Sequence, residues 1–377
     1  TKIWQWFLEF FRDHGRTPTE EAFSNQSPKL TLPPAQESVQ YYADMLRERY
    51  AYNALASLFR DGGLELKTSR KPLKVREMVR RVLLELDDIA TAVPDQDWTK
   101  TGDRRLLNYR EVQEAGGVIG IPSPFEYLNR VTGGWQDADL IYIVAYSGVG
   151  KTWALCLMVY ACWLYGLPPL VMSKEMTTDR IGRRLDAIHS RLPFAHLTEG
   201  RLLTHDEIRW REDVRLLEQG AVPLLINDDE AGGVAHIESK IIRHKPGATF
   251  VDGAYLIEDD RGGDAQWKQL TNITRDMKRL AKRQRIPIMV TLQLAEDGKL
   301  ALSKGMLRDA DVVIEMEQTP DMKDANEMLM TSMKMRDGRG FEIRLHWNMS
   351  TMEFYEVETD NKEIPVDIVT EDDRVEF

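Results

Sequence analysis

The residues best suited to do chemistry form one octet, Ala145-Tyr146-Ser147-Gly148-Val149-Gly150-Lys151-Thr152. Small residues in such a run let successive backbone N–H groups curl around phosphate oxygens, and a helix opening just after it adds the positive end of its dipole. In that arrangement Ser147, Gly148, Val149 and Gly150 line the cradle. Lys151 reaches the β- and γ-phosphates, and the Thr152 hydroxyl ligates Mg²⁺. The first position is Ala where the strict pattern has Gly, so context carries weight. An apolar strand at 140–144 precedes the octet and an apolar helical run from Trp153 follows it. A Gly-rich structural turn is the bland alternative.

Phosphoryl transfer also needs a carboxylate that holds the metal and a group that orients the attacking water. Asp252, ending Ala248-Thr249-Phe250-Val251, is the metal candidate, against a plain strand-end turn. Gly253 follows it, so the water-orienting group must come from elsewhere. Glu175, in Ser173-Lys174-Glu175-Met176, follows the strand after the phosphate-loop helix, and a parallel sheet brings it to the same edge. Its alternative is a solvated capping residue. Gln293 ends a later strand, where its amide can touch the γ-phosphate or simply close the strand.

These residues need a frame. From Ile119 onward short apolar strands alternate with helices, the pattern of a mostly parallel sheet. Strands are expected at 140–144, 170–172, 224–226, 249–251, 288–291 and 312–315, then antiparallel ones at 328–335, 341–347 and 353–356. Residues 1–92 read as helices, with helical apolar spacing in 3–11, 42–50 and 75–86. Pro18, Pro33-Pro34 and Gly62-Gly63 punctuate them. The expected organisation is a helical N-terminal domain over 1–92 for docking or oligomerisation, a linker at 93–118 with a short helix near 106–114, an ATPase domain at 119–356 and an extended acidic tail at 357–377. Two cysteines, Cys156 and Cys162, share one apolar segment and suit neither zinc nor a disulfide framework. No apolar run has membrane-span length and no secretion signal stands at the start, so a cytoplasmic setting is expected. The chain begins at Thr1 without Met, from which we expect further natural N-terminus. A net charge of −11 confines any nucleic-acid contact to a local basic lane.

Over 120–356 the sequence resembles the DnaB-type replicative DNA helicases of bacteria and phages, and the N-terminal helices do so more weakly. The resemblance rests on Ile121-Pro122-Ser123-Pro124-Phe125 with Gly133-Gly134-Trp135, on the phosphate loop, and on Ser173-Lys174-Glu175-Met176 with Arg184 nine residues on. Further along come Pro223 to Asp229 ahead of the Asp252 strand, the run from Ile273 to Gln293, Asp309-Ala310-Asp311-Val312-Val313, and Met333 to Gly340. It implies an α/β, RecA-like motor domain with an all-α N-terminal domain, built into a homo-hexameric ring that encircles single-stranded DNA and moves 5′ to 3′. It implies ATP and Mg²⁺ held between subunits, with Lys334 and Arg336 reaching a neighbour's γ-phosphate. Primase and a helicase loader are the implied partners of the N-terminal domain. The segment 295–308 is similar to the family's channel-facing loop, where Lys299, Lys304 and Arg308 are the cations. Arg261 and Lys268, flanking Gly262-Gly263, are candidates for a second. Each has an alternative as surface charge. A RecA- or RadA-type recombinase and an ATP-switched helicase loader or adaptor are the rival readings.

Overall fold

The computed structural model describes residues 6, 19–26, 39–90, 97–230, 232–261, 266–294, 308–357 and 361–364. The chain divides into two compact units, Thr1–Gln96 and Asp97–Phe377.

In the first unit the described helices are Glu20–Gln26, Val39–Thr68 and Pro72–Ala90. The last two pack against each other, tied by a Lys74–Glu65 ion pair of 2.9 Å. Gly62-Gly63, expected to end a helix, lies inside Val39–Thr68. The reason is tertiary: a Cβ on Gly62 would come within 3.3 Å of the Val75 side chain, so glycine here permits close helix approach. The expected helix at 3–11 and Pro18 and Pro33-Pro34 lie outside the described residues, Trp6 excepted.

The second unit opens with the 3₁₀ turn Trp98–Lys100 and the helix Gly102–Glu114, none of whose residues is buried. Its frame is a ten-stranded sheet: β1 Leu140–Ala145, β2 Pro169–Ser173, β3 Leu225–Asn227, β4 Ala248–Asp252, β5 Ile288–Gln293, β6 Val312–Glu317, β7 Glu327–Met335, β8 Gly340–Asn348, β9 Glu353–Glu356 and β10 Lys362–Ile364. The order is β10-β8-β7-β6-β1-β5-β4-β2-β3, with β9 on β8. Strands β3, β2, β4, β5, β1 and β6 run parallel, and the pairs beyond β6 are antiparallel. This is the expected α/β sheet. β10 lies where an extended tail was expected. Lys362–Glu342 and Arg339–Glu363 pairs, each 2.6 Å, fasten it to β8 and its turn, the cross-strand charge pairing that stabilises an edge.

Every residue of β1 is buried, because helices cover both faces. On one face Ile141, Ile143 and Ala145 pack against Trp153, Leu157 and Ile181, from the helices Lys151–Leu164 and Thr178–Ser190. On the other, Leu140, Tyr142 and Val144 meet Ile237, Ile241, Ile273 and Met277, from Val234–His244 and Gln266–Gln284. A stack of this kind gathers strand-end residues at the carboxyl edge, where ligands bind in open α/β sheets. Among the described residues no helix is long and apolar enough to cross a membrane.

Candidate active site

β1 delivers the chain directly into the loop 146–150. Gly148 and Gly150 take φ of +78° and +111°, in the left-handed region that other residues adopt only with strain. Gly150 also backs onto the Trp347 ring, which a Cβ would meet at 3.5 Å. The helix Lys151–Leu164 starts there with no side-chain cap, so its first amides are free of a side-chain acceptor and can serve an anion. The Lys151 ammonium donates to the Ala145 and Tyr146 carbonyls at 3.1 and 2.9 Å. Burial lowers its pKa, and Glu175 and Asp252 pull it back up.

Asp252 closes β4 and is 1% exposed. The Thr152 hydroxyl donates to its Oδ2 at 3.0 Å, and the Thr291 hydroxyl on β5 donates to its Oδ1 at 2.7 Å. Thr291 in turn accepts the Gly253 N–H at 2.9 Å, fixing the backbone just after the acid. Burial raises the Asp252 pKa; the Thr291 and Thr152 hydrogen bonds oppose that and the Glu175 charge adds to it. A buried carboxylate beside a hydroxyl and a phosphate cradle is a donor set that suits a hard, oxygen-loving cation such as Mg²⁺. The residues present therefore fit a magnesium nucleotide.

β2 is the neighbour of β4, with Ser173 level with Asp252. The Ser173 hydroxyl accepts the Met176 N–H at 3.0 Å, shaping a tight turn that carries Glu175 out from the edge. Lys174 turns the other way, its ammonium 2.6 Å from the Asp229 carbonyl. Glu175 is exposed, acts on Lys151 and Asp252, and faces the Tyr255 hydroxyl. Burial, then Glu175, pushes that phenol up to about 12. Gln293 ends β5 level with Ala145. Arg184 lies 5.3 Å from the ring centres of both Trp153 and Phe194. The carboxyl edge thus brings Ser147 to Thr152, Glu175, Asp252 and Gln293 together.

Lys334 and Arg336 are not in this cluster. Lys334 is level with Val313, and Val313 with Tyr142. Arg336 lies further still from Ala145, about 17 Å down the strand at ~3.3 Å per residue. They also face the other side of the sheet. Met328, Met330 and Ser332 alternate inward toward the phosphate-loop helix, and unbroken alternation would send 334 and 336 the same way. A register shift skips Met333, so Val313 pairs with Lys334 while Ile314 pairs with Ser332. Such a bulge re-aims the side chains after it. Met335 turns inward instead, and the two cations turn toward Lys278 on the opposite helix layer.

Of the cations considered for nucleic acid, Arg261 is engaged by Asp276, and Lys268 and Arg308 are exposed. Lys299 and Lys304 lie outside the described residues. Sequence reasoning missed Thr291, Tyr255 and the buried Asp311. Thr291 left a trace, a lone hydroxyl in the apolar strand Ile288-Met289-Val290-Thr291-Leu292; Tyr255 left none, since a 3₁₀ turn, Ala254–Leu256, brings it in.

A family model described as the DnaB-like helicase C terminal domain matches residues 120–356. Among curated proteins, a replicative DNA helicase DnaB from Nostoc sp. is 28% identical over 223 residues, 56% of this chain and 25% of that protein. Another, from Buchnera aphidicola, is 28% identical over 255 residues, 62% of this chain and 55% of that protein. The chain thus spans between a quarter and about half the length of these relatives. A solved DnaB-like replicative helicase, reported with its interactions with primase, superposes with a TM-score of 0.60 at 17% identity, covering 94% of this chain and 91% of that one.

Proposed function

The chain belongs, through residues 120–356, to the DnaB-like helicase C-terminal domain family, and we propose that it is a subunit of a replicative DNA helicase that hydrolyses ATP where two copies meet. One observation carries the reading. Cradle, metal acid and water-orienting acid share one edge of the sheet, while the cations that would complete them stand at the opposite edge and on the opposite face. Their distance from their own site supports a reading in which a second copy presents them.

In this reading the amides of 147–152 and Lys151 hold the triphosphate, and Thr152 and Asp252 hold Mg²⁺. The metal neutralises charge on the phosphate oxygens. Glu175 accepts a hydrogen bond from the attacking water and orients it. Gln293 contacts the γ-phosphate and passes its presence to 295–308, the segment similar to the channel loop. Lys334 and Arg336 of the adjoining copy meet the charge that builds up as the terminal phosphate departs. Family membership supports a homo-hexameric ring acting 5′ to 3′ on single-stranded DNA, with primase and loader contacts through the N-terminal helices. Backbone contacts to DNA would make binding sequence-independent and salt-sensitive. Arg261, Lys268, Lys299, Lys304 and Arg308 are the residues to test for them.

Fork unwinding with ATP and Mg²⁺ tests the proposal. Glu175→Ala and Arg336→Ala should both bind nucleotide and lose unwinding. Normal unwinding by Arg336→Ala overturns the shared site, and strand pairing without unwinding by wild type would point to a recombinase.

A further inference from the structure

Lys334 lies near the end of β7 and Arg336 just beyond it, where side chains of this length ordinarily sample many rotamers. Holding both in one direction costs conformational entropy that some contact must offset. The contacts converge on one residue. Asp311 precedes β6 and is 5% exposed. Its Oδ2 accepts the Leu140 N–H at 2.8 Å, at the start of β1, and pairs with Lys278. Its Oδ1 pairs with Arg336 at 2.9 Å, and its carbonyl accepts the Arg336 N–H at 2.9 Å. The preceding carbonyls take the rest: Lys334 donates to Ala310 at 2.6 Å and Arg308 at 2.8 Å, and Arg336 donates to Arg308 at 3.1 Å. Salt bridges Lys278–Asp311 and Arg275–Asp309, the latter 3.3 Å, fix this segment to the helix Gln266–Gln284.

We propose that Asp311 is the positioning residue for the cationic arm: its buried carboxylate ties Arg336, and through the adjoining carbonyls Lys334, to the first residue of the phosphate-loop strand, so that a neighbouring copy's site receives the arm in a fixed pose. This rests on the shared-site reading. A buried acid with three partners is an expensive way to hold a strand end unless the geometry matters. Asp311 touches no substrate; it acts through Arg336, on the adjoining site and not its own.

That asymmetry supplies the test. Asp311→Asn keeps an acceptor for the Leu140 N–H and drops the charge that orients Arg336. The purified variant should bind nucleotide as wild type does and lose about tenfold or more in DNA-stimulated turnover. Mixed with Glu175→Gln subunits, which have an intact arm and a dead site, it should regain activity. Random mixing makes about a quarter of the interfaces whole. Arg336→Ala mixed with Glu175→Gln is the control. If the control recovers and the Asp311→Asn mixture does not, Asp311 supports its own site or fold, and the inference is wrong while the shared site stands. If the control also fails, shared site and inference fall together. Undiminished turnover by Asp311→Asn overturns the inference too. Should that variant not fold, Asp311→Glu keeps the charge and moves it by one methylene. It should be slowed and rescued by the same partner, and wild-type turnover would count against the inference.

Discussion

Two lysines hold the opposite edges of the sheet in the same manner. Lys151 rests its ammonium on the carbonyls of Ala145 and Tyr146; Lys334 rests its own on those of Arg308 and Ala310. Burial depresses the pKa of both. Their surroundings differ in sign. At the carboxyl edge Glu175 and Asp252 act on Lys151, whereas the charge acting most on Lys334 is another cation, Arg336, followed by Asp311 and Asp309. One edge has acids facing Lys151 around the cradle; the other has two neighbouring cations on an acidic footing. Each has what the other lacks, and a sheet joins them rigidly at a distance. On the proposed reading, chemistry that uses both depends on a second copy.

Replacing each lysine by alanine is the sharpest way to break the parallel. Lys151→Ala removes a charge-assisted bond to the phosphates worth about 1.5–3 kcal/mol, so nucleotide affinity should drop about 10- to 100-fold. On the shared-site reading, Lys334→Ala should leave affinity within about twofold and lower turnover about 10- to 100-fold, its charge being used in the transition state. Equilibrium titration with a fluorescent ATP analogue, beside steady-state turnover, separates the two. If Lys334→Ala loses affinity and Lys151→Ala does not, the assignment of the edges is reversed.

Within the carboxyl edge, Tyr255 sharpens the contrast between holding the nucleotide and acting on it. Its hydroxyl faces Glu175 and, with a pKa pushed up to about 12, stays protonated as a donor through the working pH range. Tyr255→Phe should lower kcat about three- to tenfold, the net worth of one hydrogen bond to an exposed partner, with nucleotide affinity unchanged. A change confined to KM would instead place Tyr255 in nucleotide binding.

How much of this was readable beforehand depended on how local the cause is. The cradle is local: glycines at positive φ, a lysine and a threonine at fixed spacing announce it in eight residues. Asp252, Glu175 and Gln293 were readable one step further out, because a parallel sheet sends every strand end to one edge whatever the register. Lys334 and Arg336 could be named only by resemblance. Which way they face depends on the bulge at Met333, and a single skipped residue reverses a strand's faces. Nothing in Met333-Lys334-Met335 announces the skip. Asp311 was visible within Asp309-Ala310-Asp311, yet its three partners come from 140, 278 and 336, far apart in sequence. Gly62 misled for the same reason, its role being set by Val75 in the next helix. The short β10 was hidden because its strand is held by charge pairs at an edge, with no apolar alternation to read.

The smallest effect tests what the amino edge costs. Asp139, at the turn into β1, accepts the Gln136 N–H at 2.9 Å. Burial, reinforced by the charges of Asp311 and Asp337 and opposed by that N–H and by Lys278, raises its pKa from 3.8 to about 6. A carboxyl whose folded pKa is raised binds its proton more tightly folded than unfolded, so it destabilises the fold when ionised. That cost is full above pH 6, shrinks as pH falls through the window between about 6 and 4, and is gone below the unfolded value. Asp139→Asn keeps the acceptor and removes the charge. It should raise Tm by about 2 °C or more at pH 7.5 and leave it unchanged near pH 3.5, measured by differential scanning against wild type. A gain that persists at the lower pH would mean the benefit is packing. A loss at pH 7.5 would mean that Lys278 stabilises the ionised Asp139 by more than burial costs it, and that the amino edge carries its acids without strain.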